Sequence, residues 1–227
     1  MTEATEHFNR IAPDYDSLLP EHVQAHYRRK RARVIAPLLR GGRGLDVGCG
    51  TGRLMEELRD AGQITGVDGS EGMVAELRRT GRGEALVAQT HRLPFPDGTF
   101  DAVWCVAVLH HVADPERVRA TLREMARVAR PDGAVIVWDH NPRNPYWPWL
   151  MRRAPQDTGA ERLIPEEEIT AGLRAAGMRV VASYQSGFVP EFVPRRLMGA
   201  ARALEGLAER TPGLRRFGAH NVVIAVK

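Results

Sequence analysis

The sequence predicts a doubly wound α/β domain, with a largely parallel sheet of seven strands beneath helical covers. Three observations predict it. Short, apolar runs alternate with helix-like stretches along most of the chain, the rhythm of β–α–β units. The runs are continuously apolar rather than alternating, as strands buried on both faces are. The first of them runs into glycines at alternate positions and then into a helix-like segment, which suits an open sheet that binds a ligand at its strand ends.

The elements follow in order. Residues 1–39 precede the first strand and are expected to form a helical cover. The strand-like runs are residues 45–47, 64–67, 85–88, 102–109, 134–138, 180–184 and 221–226. The turn Pro131-Asp132-Gly133 opens the fifth. Helix-like segments cover residues 53–61, 72–80, 115–129 and 165–176. In the third of these, Val118, Leu122, Met125 and Val128 make a helical stripe. The last opens with Pro165 and three glutamates and closes at Gly177, a good start and stop for a helix. Two further stretches exceed what the sheet requires. Residues 141–164 are rich in proline and aromatic side chains, and residues 188–217 are longer than a hairpin needs. Both are expected to cover a site at the strand ends.

Size and composition agree with one domain. The chain has 227 residues, 43% hydrophobic and 26% charged, close to an average globular protein. No apolar run approaches the roughly 20 residues that span a bilayer. The polar N-terminus has no apolar core of signal-peptide type. A cytoplasmic location and no membrane contact are therefore expected. Cys49 and Cys105 sit in glycine-rich or apolar runs and read as buried free thiols. No zinc-type spacing occurs, and no metal is expected. Net charge is +4, and the only lysines are Lys30 and Lys227. Arg28, Arg29, Arg31 and Arg33 form a cluster that reads as a solvated helix face. Only Tyr27 interleaves it, which argues against single-stranded nucleic acid.

The most informative segment is Leu45-Asp46-Val47-Gly48-Cys49-Gly50-Thr51-Gly52. Glycine permits a sharp turn and lets a ligand approach the backbone. The helix expected to start near Arg53 offers unpaired N–H groups. The next strand ends in Val67-Asp68-Gly69, where a carboxylate can accept both hydroxyls of a ribose. The site therefore reads a nucleoside. The spacing is Gly-x-Gly-x-Gly rather than the dinucleotide pattern, and Asp46 suits an ammonium or a polarised amide better than a pyrophosphate. A nicotinamide oxidoreductase is disfavoured on both grounds.

These residues resemble the class I S-adenosylmethionine-dependent methyltransferases. Leu45 to Gly52 resembles their first motif, and the segment from Gly66 to Met73 resembles the one after strand two. Leu93-Pro94-Phe95-Pro96-Asp97-Gly98-Thr99-Phe100-Asp101, Val108-Leu109-His110-His111-Val112 and Arg130-Pro131-Asp132-Gly133-Ala134 resemble later blocks, in order. The subgroup most resembled includes quinone and natural-product methyltransferases, whose opening Phe8-Asn9-Arg10-Ile11-Ala12-Pro13-Asp14-Tyr15-Asp16 also resembles. The resemblance implies a Rossmann-like sheet with an antiparallel last strand, and a cofactor-binding core over residues 40–140. It implies that Asp46, Gly48, Cys49, Gly50 and Gly52 hold the amino-acid part of S-adenosylmethionine. Asp68 would take the ribose, with Gly69 and Met73 flanking the adenine. Gln89 stands where the family often has aspartate, and its amide oxygen can still accept a hydrogen bond. Thr90 would offer a backbone N–H, Val106 would lie near the methionine moiety, and Tyr15 is expected to close over the cofactor.

Methyl transfer from a sulfonium needs orientation, and often a base for the acceptor's proton. The base candidates are His111, after the fourth strand, and His140, after the fifth, with Asp139 expected to orient His140. His110 is expected to be packed or hydrogen-bonded. Tyr146, Trp147 and Trp149 are expected either to line an acceptor pocket or to pack a lid, with Phe188, Phe192 and Met198 contributing from the second cover. An enclosed apolar pocket favours a small organic acceptor. The methylated atom and the oligomeric state are left open. The alternatives are a nucleic-acid methyltransferase, against which Ala107-Val108-Leu109-His110 stands where an Asn/Asp-Pro-Pro-Tyr motif would be expected, and an inactive cofactor-binding protein.

Overall fold

In the computed structural model, which describes residues 3–151 and 155–227, the strands join edge to edge into one seven-stranded sheet. They are β1 (Arg43–Val47), β2 (Gln63–Asp68), β3 (Glu84–Val87), β4 (Phe100–Val106), β5 (Ala129–His140), β6 (Arg179–Ser186) and β7 (His220–Val226), in the order β3-β2-β1-β4-β5-β7-β6. The pairs among β1 to β5 are parallel, and β7 runs antiparallel between β5 and β6. Residues 1–2 and 152–154, which fall in two of the expected covers, lie outside the described residues. The strand order reverses between β1 and β4, and a crevice opens at such a switch point, beyond the carboxyl ends of the strands.

Strand alternation distributes the core over both faces. Leu45, Val47, Val103, Cys105, Val135 and Val137 face one side, against α6 (Pro115–Val128) and α8 (Glu166–Ala175). Ala102, Trp104, Ala134 and Ile136 face the other, against α2 (Glu21–Leu39) and α3 (Arg53–Glu57). The predicted stripe on α6 is fully buried, and Asp114 caps the helix by accepting from Arg117 N at 2.8 Å. Burying a leucine or methionine of that stripe contributes about 1.5–3 kcal/mol. Gly172 of α8 makes the close approach possible, since a Cβ there would stand 2.5 Å from Leu122 Cδ1. A third cluster of Cys49, Met55, Val74, Leu77 and Ala85 packs α4 (Glu71–Arg79) under β2 and β3.

The boundaries differ most from the sequence reading at three places. The apolar run over residues 102–109 divides, because Ala107 takes φ 56° and ends β4. Asp139 Oδ2 then accepts from Val108 N at 3.2 Å and Leu109 N at 2.6 Å, turning the chain into α5 (Leu109–Val112). β5 begins earlier than expected, since Ala129 pairs with Phe100 ahead of an irregularity that contains Pro131-Asp132-Gly133. The helix expected over residues 53–61 shortens to the five residues of α3.

The covers are α1 (Glu3–Ile11) and α2 at the N-terminus, then the short α7 (Trp147–Leu150), and last α9 (Met198–Arg210) with α10 (Pro212–Arg215). A buried polar cluster fastens α9 to α2: Glu205 lies 2.8 Å from His26 Nε2 and 3.0 Å from Lys30 Nζ. Among the described residues, no helix is long and apolar enough to cross a membrane.

Candidate functional site

The glycine loop sits at the carboxyl end of β1, above the switch point. Gly48 and Gly50 have φ 78° and 53°, a left-handed region that costs an L side chain about 1–2 kcal/mol. Gly48 and Cys49 donate backbone N–H bonds to Val67 O at 2.7 and 3.0 Å, which lays the loop over the end of β2. Asp68 fixes it from the other side: Oδ2 accepts from Gly50 N and Oδ1 from Ser70 N, both at 2.9 Å. Burial pushes the Asp68 carboxyl up, while these N–H groups oppose the shift.

Two cavities open there. The smaller, about 240 Å³, is lined by Gly48, Gly50, Asp68, Gly69, Met73, Gln89, Thr90, Val106 and Tyr15, among others. The larger, about 500 Å³, is lined by Asp46, Cys49, Val106, His110, His111 and His140 together with the aromatic side chains of the covers. Tyr15, Arg31, Gly48, Gly50, Val106, Ala107 and His111 line both, so the two spaces meet at the end of β4.

The smaller cavity fits a nucleoside with an attached chain. A Cβ on Gly50 would meet nothing within 4 Å and would project into open space, while one on Gly69 would come 3.5 Å from Gln89 Nε2. Each Asp68 oxygen keeps a lone pair beyond its backbone bond. Met73 is buried and supplies an apolar surface. Thr90 Oγ1 is engaged with Thr121 Oγ1 at 2.8 Å. Asp46 lies across the junction, and burial pushes its carboxyl up to about 7. Burial also pushes the Tyr15 phenol up to about 12, so it is a neutral hydrogen-bonding group. Two residues of the predicted set sit differently. Cys49 turns its sulfur inward, where a Cβ on Gly66 would meet it at 2.6 Å, and Gly52 lines neither cavity but packs against Leu77.

The larger cavity has imidazoles in its wall. His110 stacks between His111 and His140, with ring centroids 4.0 Å apart on each side, and His140 lies 3.7 Å from Trp147. The expected pairing of Asp139 with His140 is replaced by another. Asp139 Oδ1 lies 2.7 Å from His110 Nδ1 but 3.7 Å from His140 Nδ1, and from His140 it accepts only the backbone N–H. The carboxylate faces α5, whose backbone N–H groups and His110 ring it must satisfy. Burial opposes charge on Asp139, but contact with His110 holds its carboxyl well below the usual range. Burial lowers His110, His111, His140 and His220 alike. The imidazoles are therefore neutral proton acceptors near pH 7.

Arg31 departs from the solvated face expected of its cluster. Arg28 pairs with Glu21, Arg29 bonds the Ala25 carbonyl and Arg33 is exposed. Arg31 instead reaches both cavities, its guanidinium over Tyr27 and Trp138 at 5.8 and 5.9 Å. Its Nε is shielded from solvent with no hydrogen-bond partner. The signal was available in the sequence: Val23, Tyr27, Ile35 and Leu39 are buried on α2, and Arg31 continues that spacing of four. Asp157, Glu161 and Phe8 were also missed. Phe8 packs edge-on to His111 at 4.9 Å. Tyr146, Trp147, Phe188 and Phe192 line the larger cavity, whereas Trp149 is half exposed and Met198 packs against α2.

Residues 45–137 match a family described as a methyltransferase domain. The chain is 38% identical over 152 residues to a ubiquinone/menaquinone biosynthesis C-methyltransferase of Geobacter sulfurreducens, covering 60% of this chain and 58% of that protein. It is 30% identical over 174 residues to a ubiquinone biosynthesis O-methyltransferase of Bordetella avium, covering 70% and 71%. The match thus spans less than two thirds of the Geobacter relative. A Thermotoga maritima S-adenosylmethionine-dependent methyltransferase, described as a possible histamine N-methyltransferase, shares the fold with a TM-score of 0.71 at 24% identity, over 99% of this chain and 100% of that one.

Proposed function

This chain belongs to the class I S-adenosylmethionine-dependent methyltransferases, and from that premise we propose that it methylates an O, N or C atom of a small organic acceptor. One observation carries the proposal: a nucleoside-sized cavity at the glycine loop opens into a second, aromatic-walled cavity of about 500 Å³ beneath the covers. Clefts of roughly 300–1,000 Å³ lined by aromatic side chains are the kind that take small organic ligands. When bound, S-adenosylmethionine supplies an electrophilic methyl and leaves as a neutral thioether.

We assign residues 40–140 to cofactor binding, and residues 1–39, 141–164 and 188–217 to the covers, the last two on the acceptor side. Asp68 takes the ribose hydroxyls; Gly69, Met73, Gln89 and Thr90 surround the base. Asp46 and the backbone of Gly48, Cys49 and Gly50 hold the amino-acid end, with Gly52 shaping the loop from outside the cavity. Val106 and Tyr15 bound the methyl at the junction. His111 stands at that junction and His140 deeper in the acceptor cavity, and an acceptor that must lose a proton passes it to one of them. Excluding water and fixing the line of attack supply the rest of the rate. Methylation of a quinone-type ring, as the names of the Geobacter and Bordetella relatives describe for them, is the acceptor class we favour.

The test offers radiolabelled S-adenosylmethionine with a panel of phenols, quinols and amines, beside DNA and RNA. Label in the small-molecule extract supports the proposal; label confined to nucleic acid overturns it. With an acceptor in hand, loss of the base lowers turnover about 10²–10⁴-fold while leaving affinity for S-adenosylhomocysteine near the wild-type value. His111→Ala and His140→Ala that both retain turnover would remove the two imidazoles from the chemistry.

A further inference from the structure

We propose that His110, His111 and Asp157 form a binding site for a divalent transition-metal ion in the wall of the acceptor cavity. One ligand atom from each lies within 4.8 Å of the other two. Ligands about 2.0–2.2 Å from a tetrahedral ion stand roughly 3.4 Å apart, so side-chain shifts of about an ångström close the set. Two histidines and one carboxylate leave coordination positions open, and all three residues border the cavity.

The surroundings are those of histidine ligands. His110 Nδ1 meets Asp139 Oδ1 at 2.7 Å, and His111 Nδ1 lies 3.4 Å from Glu161 Oε1. The carboxylate behind His110 Nδ1 orients that ring and leaves its Nε2 as the basic nitrogen, whereas His111 Nδ1 is buried beside Glu161 without a hydrogen bond. Both carboxylates are themselves fixed. Glu161 accepts from Thr158 N, Thr158 Oγ1 and Gly159 N at 2.6, 2.9 and 2.8 Å. Asp157, by contrast, meets its favourable charge in His111 and is pressed by the like charges of Glu161 and Glu191. A half-buried carboxylate crowded by other carboxylates is unfavourable, and a cation shared with His110 and His111 offsets that.

A second grouping of His110, Asp139 and His140 falls within the same 4.8 Å limit but offers no vacancy. Asp139 already accepts from Val108 N, Leu109 N, His140 N and His110 Nδ1, which uses the four lone-pair directions of a carboxylate.

This inference rests on the reading that the larger cavity holds the acceptor, and it narrows that acceptor to an oxygen nucleophile such as a phenol or enol. An acceptor hydroxyl on the ion loses its proton more readily. The proton passes to His140; the oxygen–methyl bond forms as the sulfur–methyl bond breaks; S-adenosylhomocysteine leaves neutral, and the ion's oxidation state is unchanged. The two histidines thereby divide their roles, His111 as ligand and His140 as base.

The test titrates Co²⁺ into the full chain, read by visible ligand-field absorption, with calorimetry of S-adenosylhomocysteine alongside. Stoichiometric binding with ligand-field bands is expected in the wild type. His111→Ala and Asp157→Asn should each weaken Co²⁺ by at least about ten-fold, with S-adenosylhomocysteine bound by Asp157→Asn within about three-fold of wild type and wild-type circular dichroism in both showing that the variants fold. Absence of bands in the wild type, or Co²⁺ affinity unchanged in both variants, overturns the site. That failure is separate from failure of the acceptor reading, which the labelling experiment alone decides.

Discussion

Replacing Asp68 with alanine probes the nucleoside reading directly. Its two oxygens accept from Ser70 N and Gly50 N, each at 2.9 Å, and retain one lone pair apiece for the ribose hydroxyls. A hydrogen bond to a charged group contributes about 1.5–3 kcal/mol, so two give about 3–6 kcal/mol. At about 1.4 kcal/mol per decade, affinity for S-adenosylhomocysteine should fall roughly 10²–10⁴-fold. The freed N–H groups of Gly50 and Ser70 add to the loss by loosening the loop. Asp68→Asn keeps one oxygen but turns an amide N–H₂ toward a backbone donor, so its loss should be intermediate. Calorimetric titration at pH 8 with S-adenosylhomocysteine, with NAD as control, measures all three proteins. A folded Asp68→Ala that binds within about three-fold of wild type would refute the assignment.

Two further predictions concern the loop and the imidazoles. Gly48→Ala forces a side chain into φ 78° and puts Cβ 2.4 Å from Val108 Cγ2, which should cost about 2–5 kcal/mol. Gly41→Ala, at φ 76° with nothing within 4 Å, should cost only the backbone part. Equal melting temperatures for the two variants would refute the packing account. Burial, reinforced by His140 and Arg31, holds His220 well below the ordinary histidine range. Its neutral folded form therefore favours folding above the unfolded pKa of about 6.5, and this contribution is lost as pH falls below that value, by about 1.4 kcal/mol at pH 5.5. Asp46, raised to about 7, acts in the opposite sense, its contribution being lost as pH rises through that value. Urea melts of wild type against His220→Asn cancel the Asp46 effect. The variant should lose less stability between pH 7.5 and 5.5, and parallel curves would count against a buried neutral His220.

The scaffold, and the residues that gather at the carboxyl end of β1, were legible in the chain itself. Apolar runs with few polar residues imply a sheet whose central strands are buried on both faces, as β1, β4 and the second half of β5 are. Glycines at positions 48 and 50 and the acid at 68 could be read because neighbours in the chain govern a turn and a strand end. What depends on separate segments was decided only by the tertiary structure. Asp139 turned to His110 rather than to its sequence neighbour His140, because α5 offered backbone donors on that side. Arg31 turned inward although its neighbours are paired on the surface, because α2 presents the spacing of residues 23, 27, 31, 35 and 39 to the sheet. The meeting of Asp157 with His110 and His111 spans more than forty positions of chain. Local patterns carry no record of such an approach; it arises where Arg162 N donates to His110 O and holds residues 155–164 beside α5.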